Sequence, residues 1–205
     1  MDLGTGDGRA VLARAAGDPL TLVVGVDANA SGMADASRRA RRAHLSNVVF
    51  VAADALALRA GLWGLADELT ITLPWGSLLH AAVAADVRLT RLLRAGGRLA
   101  LLVSAAAADR ASGLVDLDPA RMTDAYRAAG LDMRVRPATL ADVRAAGSSW
   151  GKRLLQGGRG GHDRRLWLFE ATVPLSQAPE PRARRRPPPP MRAATGRSSL
   201  TRRAR

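Results

Sequence analysis

The chain contains no cysteine, which excludes a disulfide framework and any thiolate metal site. It has three histidines, His44, His80 and His162, too far apart in sequence to show metal-ligand spacing, and no metal is expected. Aromatic residues make up only 3% of the 205 positions, so the four tryptophans stand out. No apolar run approaches the roughly 18 residues of a membrane span, and the start has no leader-like pattern. A cytoplasmic protein with no membrane association is the expectation. Acidic residues are the scarce charge, 18 against 31 Lys and Arg, which leaves a net charge of +13. Such a balance suits a polyanionic partner.

The positive charge is unevenly spread. Nine arginines (182, 184, 185, 186, 192, 197, 202, 203 and 205) fall in residues 179–205 against Glu180 alone, around the run Pro187 to Pro190. With almost no apolar content, residues 177–205 read as a disordered Pro/Arg-rich basic tail. It is either a solvated extension or a phosphate-seeking arm. The rest, 1–176, is long enough for one domain with a real core.

Along that domain strand and helix signals alternate. Apolar, β-rich runs lie at 20–26, 47–53, 68–73, 98–103 and about 166–173. Ala/Arg/Leu-rich stretches with helical periodicity lie between them at about 9–16, 30–43, 78–94 and 119–129. Gly96-Gly97 and Gly130 are expected at helix-to-strand joins. This alternation predicts an α/β fold with a doubly wound, mostly parallel sheet.

The chemistry concentrates in a few short strings. Residues 2–8 read Asp2-Leu3-Gly4-Thr5-Gly6-Asp7-Gly8, a glycine-rich turn whose backbone can approach a ligand closely. The helix after it would turn its unpaired N–H groups towards that ligand. About 20 residues on, Leu20 to Val26 ends on Asp27, placed at the tip of a second strand to accept both hydroxyls of a ribose. A dinucleotide site would need G-x-G-x-x-G, but the third position is Arg9 and Gly8 comes one residue early. The form D-x-G-x-G-x-G instead resembles motif I of class I S-adenosylmethionine (SAM)-dependent methyltransferases. That resemblance implies a seven-stranded Rossmann-like sheet with one antiparallel strand inserted by the last hairpin. Only Met1 precedes Asp2, whereas a buried central strand needs about five apolar residues. The first strand is therefore expected to be truncated, with the true start upstream or the chain a fragment.

Asp54 follows the third strand, where this fold usually meets the adenine of SAM, although a strand-end acid can equally cap the next turn. The fourth strand runs into Leu73-Pro74-Trp75-Gly76, which puts Trp75 at the mouth of a site beyond the strand ends. Amino-methylating enzymes often carry a polar residue where Leu73 stands, so a ring nitrogen is the better methyl acceptor here. Further on, Ser148-Ser149-Trp150-Gly151-Lys152-Arg153, with Arg159 beyond, sets an aromatic beside cations. That pattern suits stacking a base and gripping its phosphate. Trp63 and Trp167 read as packing residues, and Arg38, Arg39, Arg41 and Arg42 as a solvated helical face able to meet phosphates.

Four strings, DLGTGDGR, LSNVVFVAA at 45–53, LPWGSLL at 73–79 and SSWGKRL at 148–154, occur in order and at matching spacing. Together they resemble the aminoglycoside-resistance 16S rRNA (adenine(1408)-N(1))-methyltransferases over about residues 1–173. The resemblance implies a SAM-dependent enzyme acting on 16S rRNA in the 30S subunit as a monomer. It places Asp2, Gly4, Thr5, Gly6, Asp27, Ala53, Asp54 and Leu73 around SAM. It gives Trp75 and Trp150 the flipped adenine, with Ser148 helping to hold it, and Lys152, Arg153 and Arg159 the rRNA. Two other readings are a tRNA guanine-N7 methyltransferase and an RNA-binding relative that has lost catalysis. The absence of a proline- and aspartate-rich motif after strand four argues against the first.

Overall fold

The computed structural model describes residues 1–105, 117–155 and 165–175. They form a seven-stranded sheet: β1 (Asp2–Leu3), β2 (Val23–Asp27), β3 (Val48–Ala52), β4 (Ala66–Thr72), β5 (Leu93–Ala105), β6 (Asp132–Pro137) and β7 (Arg165–Thr172). The order across the sheet is β3-β2-β1-β4-β5-β7-β6. Pairings are parallel from β3 to β5, and β7 lies antiparallel to both β5 and β6. The expected doubly wound sheet with one inserted antiparallel strand is therefore present.

The helices are α1 (Arg9–Gly17), α2 (Ala30–Arg42), α3 (Gly76–Val83), α4 (Val87–Thr90), α5 (Pro119–Ala128), α6 (Leu140–Ala145) and α7 (Ser149–Leu155). Central strands carry β-branched and aliphatic residues because both sheet faces are covered. Leu3, Val26, Leu69, Ile71, Leu101 and Val103 are all almost fully buried. Tyr126 of α5 is buried with them and donates its hydroxyl to the Ala82 carbonyl at 2.8 Å. Burial raises the pKa of that phenol.

β1 is short, as expected, yet it holds the centre of the sheet. Asp2 pairs with Gly25 on one side and Thr70 on the other. The Met1 ammonium donates to the Glu68 carbonyl at 2.6 Å, and the Thr70 N–H donates to Met1 at 2.8 Å.

Several boundaries differ from expectation. The stretch 78–94 is not one helix: α3 ends at Val83, Ala85 turns left-handed at φ 50°, and Asp86 caps α4 by accepting from Arg88 N–H. Gly96 and Gly97 do not mark a helix-to-strand join but lie inside β5, opposite a register shift between Ala66 and Glu68 of β4. A Cβ on Gly97 would stand 2.9 Å from the Ala66 carbonyl oxygen, so the backbones meet there too closely for a side chain. β6 lies outside the apolar runs read above, although the resemblance implied a seventh strand, and residues 149–153 of the tryptophan-bearing string fall in α7. The tail at 177–205 lies outside the described residues.

Candidate active site

The site is built at the carboxyl ends of the parallel strands, where chain reversals leave backbone groups free for a ligand. The loop after β1 is tied down by its own amides. Gly4 and Thr5 N–H groups both donate to the Val26 carbonyl, at 2.8 and 3.1 Å. Gly6 N–H donates to Asp27 Oδ2 at 2.8 Å, while Asn29 N–H donates to Asp27 Oδ1 at 2.9 Å. Each carboxylate oxygen keeps a second lone pair, so Asp27 can still accept two hydroxyls.

Asp54 acts as a cap and borders the cavity. Its Oδ1 accepts from Leu56 N–H at 2.8 Å and caps the short turn 55–57, and its side chain also lines the cavity. Leu73 follows β4 at φ 51°, a left-handed conformation costly for a branched side chain. Pro74 blocks the ordinary helical alternative, and Leu73 N–H is held by the Leu102 carbonyl at 2.7 Å. This turn presents Trp75, 48% exposed, at the start of α3.

These groups enclose one cavity of about 500 Å³. Gly4, Thr5, Gly6, Asp27, Ala53, Asp54 and Leu73 line it together with Trp75, Ser148 and Arg153. Residues far apart in the chain, expected to bind cofactor and base, thus border the same cavity. Ser148 Oγ accepts from Gly151 N–H at 2.9 Å, capping α7. Lys152 and Arg153 are exposed on that helix. Trp150 is its second residue, with its side chain outside the described part, and Arg159 also lies outside the described residues.

Asp2 is placed differently from the other cofactor candidates. It is half-buried behind the loop, takes the Thr70 hydroxyl on Oδ1 at 2.6 Å, and faces a separate cavity bordered by Arg14 and Asp142. Burial raises its carboxyl pKa, and the Thr70 hydrogen bond opposes the shift. Asp7 and Ser149 are among the cavity residues to which the sequence reading gave no role. They bond to each other at 2.6 Å across 142 positions, although both stand inside strings already singled out. Of the remaining tryptophans, Trp63 lies under the Arg91 guanidinium at 5.0 Å and Trp167 packs on the core, as expected. No cluster able to hold a metal occurs among the described residues.

The cavity fits SAM by its own features. Its volume suits a nucleoside with an amino-acid arm, and Asp27 has acceptors to spare. Fold and site together have the arrangement of class I SAM-dependent methyltransferases.

Comparison with known proteins narrows this. Residues 1–172 match the family described as NpmA, 16S rRNA (adenine(1408)-N(1))-methyltransferase, and the chain belongs to that family. The 16S rRNA (adenine(1408)-N(1))-methyltransferase of Escherichia coli is 39% identical over 87 residues, 40% of each protein. The chain thus aligns with less than half of that curated relative. Solved structures extend further. Antibiotic-resistance methyltransferase Kmr is similar with a TM-score of 0.64 at 36% identity, covering 84% of this chain and 85% of that one. A tryptophan variant of the corresponding enzyme from Catenulisporales acidiphilia, with cosubstrate SAM, reaches 0.68 at 28% identity, covering 87% and 86%.

Proposed function

We propose that the chain transfers a methyl group from SAM to N1 of the decoding-site adenine, position 1408 of 16S rRNA, in the 30S subunit, and so confers aminoglycoside resistance. The observation that carries this reading is the single cavity joining the Gly4–Gly6 loop and Asp27 to Trp75 and the start of α7.

SAM, when bound, supplies a methyl group on a sulfonium sulfur. Asp27 holds the ribose, Ala53 and Asp54 face the adenine edge, and the loop fixes the remaining arm. N1 of the target adenine is unprotonated at neutral pH, and its lone pair is already a nucleophile. The site therefore needs no general base. Its work is positioning, which replaces a bimolecular encounter with an aligned approach. As N1 gains the methyl group the base becomes cationic. The indole faces of Trp75 and Trp150 can stabilise that charge, by about 1–2 kcal/mol when desolvated. Flipping the base costs a few kcal/mol, which stacking on two aromatics offsets.

Lys152, Arg153 and Arg159 contact the rRNA backbone in this reading, and the domain acts as a cytoplasmic monomer spanning 1–176. No helix among the described residues is long and apolar enough to cross a membrane. Primer extension on 16S rRNA from 30S subunits incubated with protein and SAM tests the reading. N1 methylation blocks base pairing, so reverse transcriptase should stop beside the target adenine. SAM binding without that stop would favour a different substrate or a relative without catalysis.

A further inference from the structure

The Asp7–Ser149 hydrogen bond lies between the two halves of the cavity. Asp7 belongs to the loop after β1, and Ser149 opens α7, the helix that carries Trp150, Lys152 and Arg153. The Ser149 hydroxyl donates to Asp7 Oδ2 at 2.6 Å. The carboxylate is itself fixed from other directions. Arg9 donates its N–H to Oδ1 at 3.2 Å and sets its Nε 3.1 Å from Oδ2, while Arg39 of α2 donates to the Asp7 carbonyl.

The far side of the bond is equally constrained. Gly147, at φ 65°, brings the chain against Ala10 of α1 and turns it into α7. Ser148 caps the new helix through Gly151 N–H, and the Lys152 N–H reaches the Ser148 carbonyl at 3.1 Å. A Cβ on Gly151 would stand 3.0 Å from Val143 Cγ1, so α7 also rests on α6. α6 supports one flank of α7, and the Asp7 bond anchors its first residue to the cofactor loop. A hydroxyl donating to an ionised acceptor is among the stronger hydrogen bonds available for such a tether.

We infer that Asp7 and Ser149 form a latch that sets α7, and with it the base-holding wall, relative to the cofactor loop. Both are positioning residues: they act through α7, not on the methyl group. The inference rests on the proposed function for its catalytic consequence, but the latch itself is a property of the protein without ligands.

Ser149→Thr and Ser149→Val test it, being nearly equal in size and different in the hydroxyl. Hydrogen–deuterium exchange of the unliganded protein reads the latch directly. Gly151 and Lys152 amides should exchange about tenfold faster in Ser149→Val, as loss of a charge-assisted bond implies, and near the wild-type rate in Ser149→Thr. In the primer-extension assay at saturating 30S and SAM, the valine variant should lose about tenfold in kcat with its SAM Kd within threefold of wild type. A misplaced wall costs rate, not cofactor affinity. Asp7→Ala combined with Ser149→Val should be no slower than the slower single variant. Equal exchange in the threonine and valine variants would overturn the latch. Unchanged kcat with faster exchange would overturn its role in positioning. A wild-type protein that never methylates the adenine would instead refute the proposed function, and exchange would still decide on the latch.

Discussion

Replacing Asp27 with alanine is the sharpest test of the cofactor half of the site. The carboxylate sits at the end of β2 with Oδ2 accepting from Gly6 N–H at 2.8 Å and Oδ1 from Asn29 N–H at 2.9 Å. In the proposed complex its two remaining lone pairs take the ribose hydroxyls. A hydrogen bond to a charged group contributes about 1.5–3 kcal/mol. The site is open to solvent and water competes, so the lower figure applies to each, about 3 kcal/mol for the pair. At 1.4 kcal/mol per factor of ten, SAM affinity should fall by about 100-fold. The loop itself should not collapse, because Gly4 and Thr5 stay bonded to the Val26 carbonyl. Asp27→Asn keeps one acceptor oxygen and should lose about tenfold, half the effect in free energy. Isothermal titration calorimetry with SAM measures both, with thermal melting as the check on folding. A Kd for the alanine variant within threefold of wild type would refute the ribose assignment.

The other predictions concern the base, the loop and the sheet. Trp75→Ala should slow methylation by about 10–100-fold, from a stacking contribution of about 1–3 kcal/mol, with SAM affinity within threefold of wild type. Full activity on 30S subunits would remove Trp75 from the base site. Gly8→Ala meets two obstacles, a positive φ of 71° and a Cβ that would lie 2.7 Å from Phe50 Cε1 and 2.8 Å from Ala36 Cβ. Left-handed strain with overpacking implies about 2–4 kcal/mol of destabilisation, and a urea midpoint equal to wild type would contradict it. Glu68 takes both terminal nitrogens of Arg14, at 2.6 and 2.7 Å, and this hydrogen bonding holds its carboxyl below the ordinary value of 4.5. Its contribution is complete above that value and is lost as pH falls through the lower, folded-state pKa. Glu68→Gln should therefore cost about 1 kcal/mol near pH 7. The gap in urea midpoints should narrow as the solution is acidified below 4.5, and a gap that widens would reverse the sign of the argument.

What could be read from the sequence was local in its physics. The glycines of the first loop, the acid ending β2 and the proline after Leu73 each constrain the backbone within a few residues, so their spacing already implies a ligand site at strand ends. The break between α3 and α4 was illegible for the converse reason. It falls at Ala84-Ala85-Asp86, with no glycine or proline to mark it, and only packing decides that Ala85 turns left-handed. β6 was hidden likewise, since in Asp132-Met133-Arg134-Val135-Arg136 only Met133 is buried and Val135 half-buried, and the arginines stay outside.

The two serines before Trp150 show where such reading stops. Both stand in the same string, and both have a hydroxyl beside a base-stacking candidate. Ser148 received the substrate role and Ser149 none. In the folded chain Ser148 Oγ accepts from its own helix at Gly151, while Ser149 reaches an aspartate 142 residues away. The first contact is a cap of the kind sequence can suggest. The second exists only because the sheet order brings the β1 loop beside the segment preceding β7, and no local pattern encodes it. Asp2 and Asp7 repeat the lesson five residues apart. The acid that opens the motif turns inward to Thr70, and the one inside it, which spacing alone leaves without a task, faces the cavity.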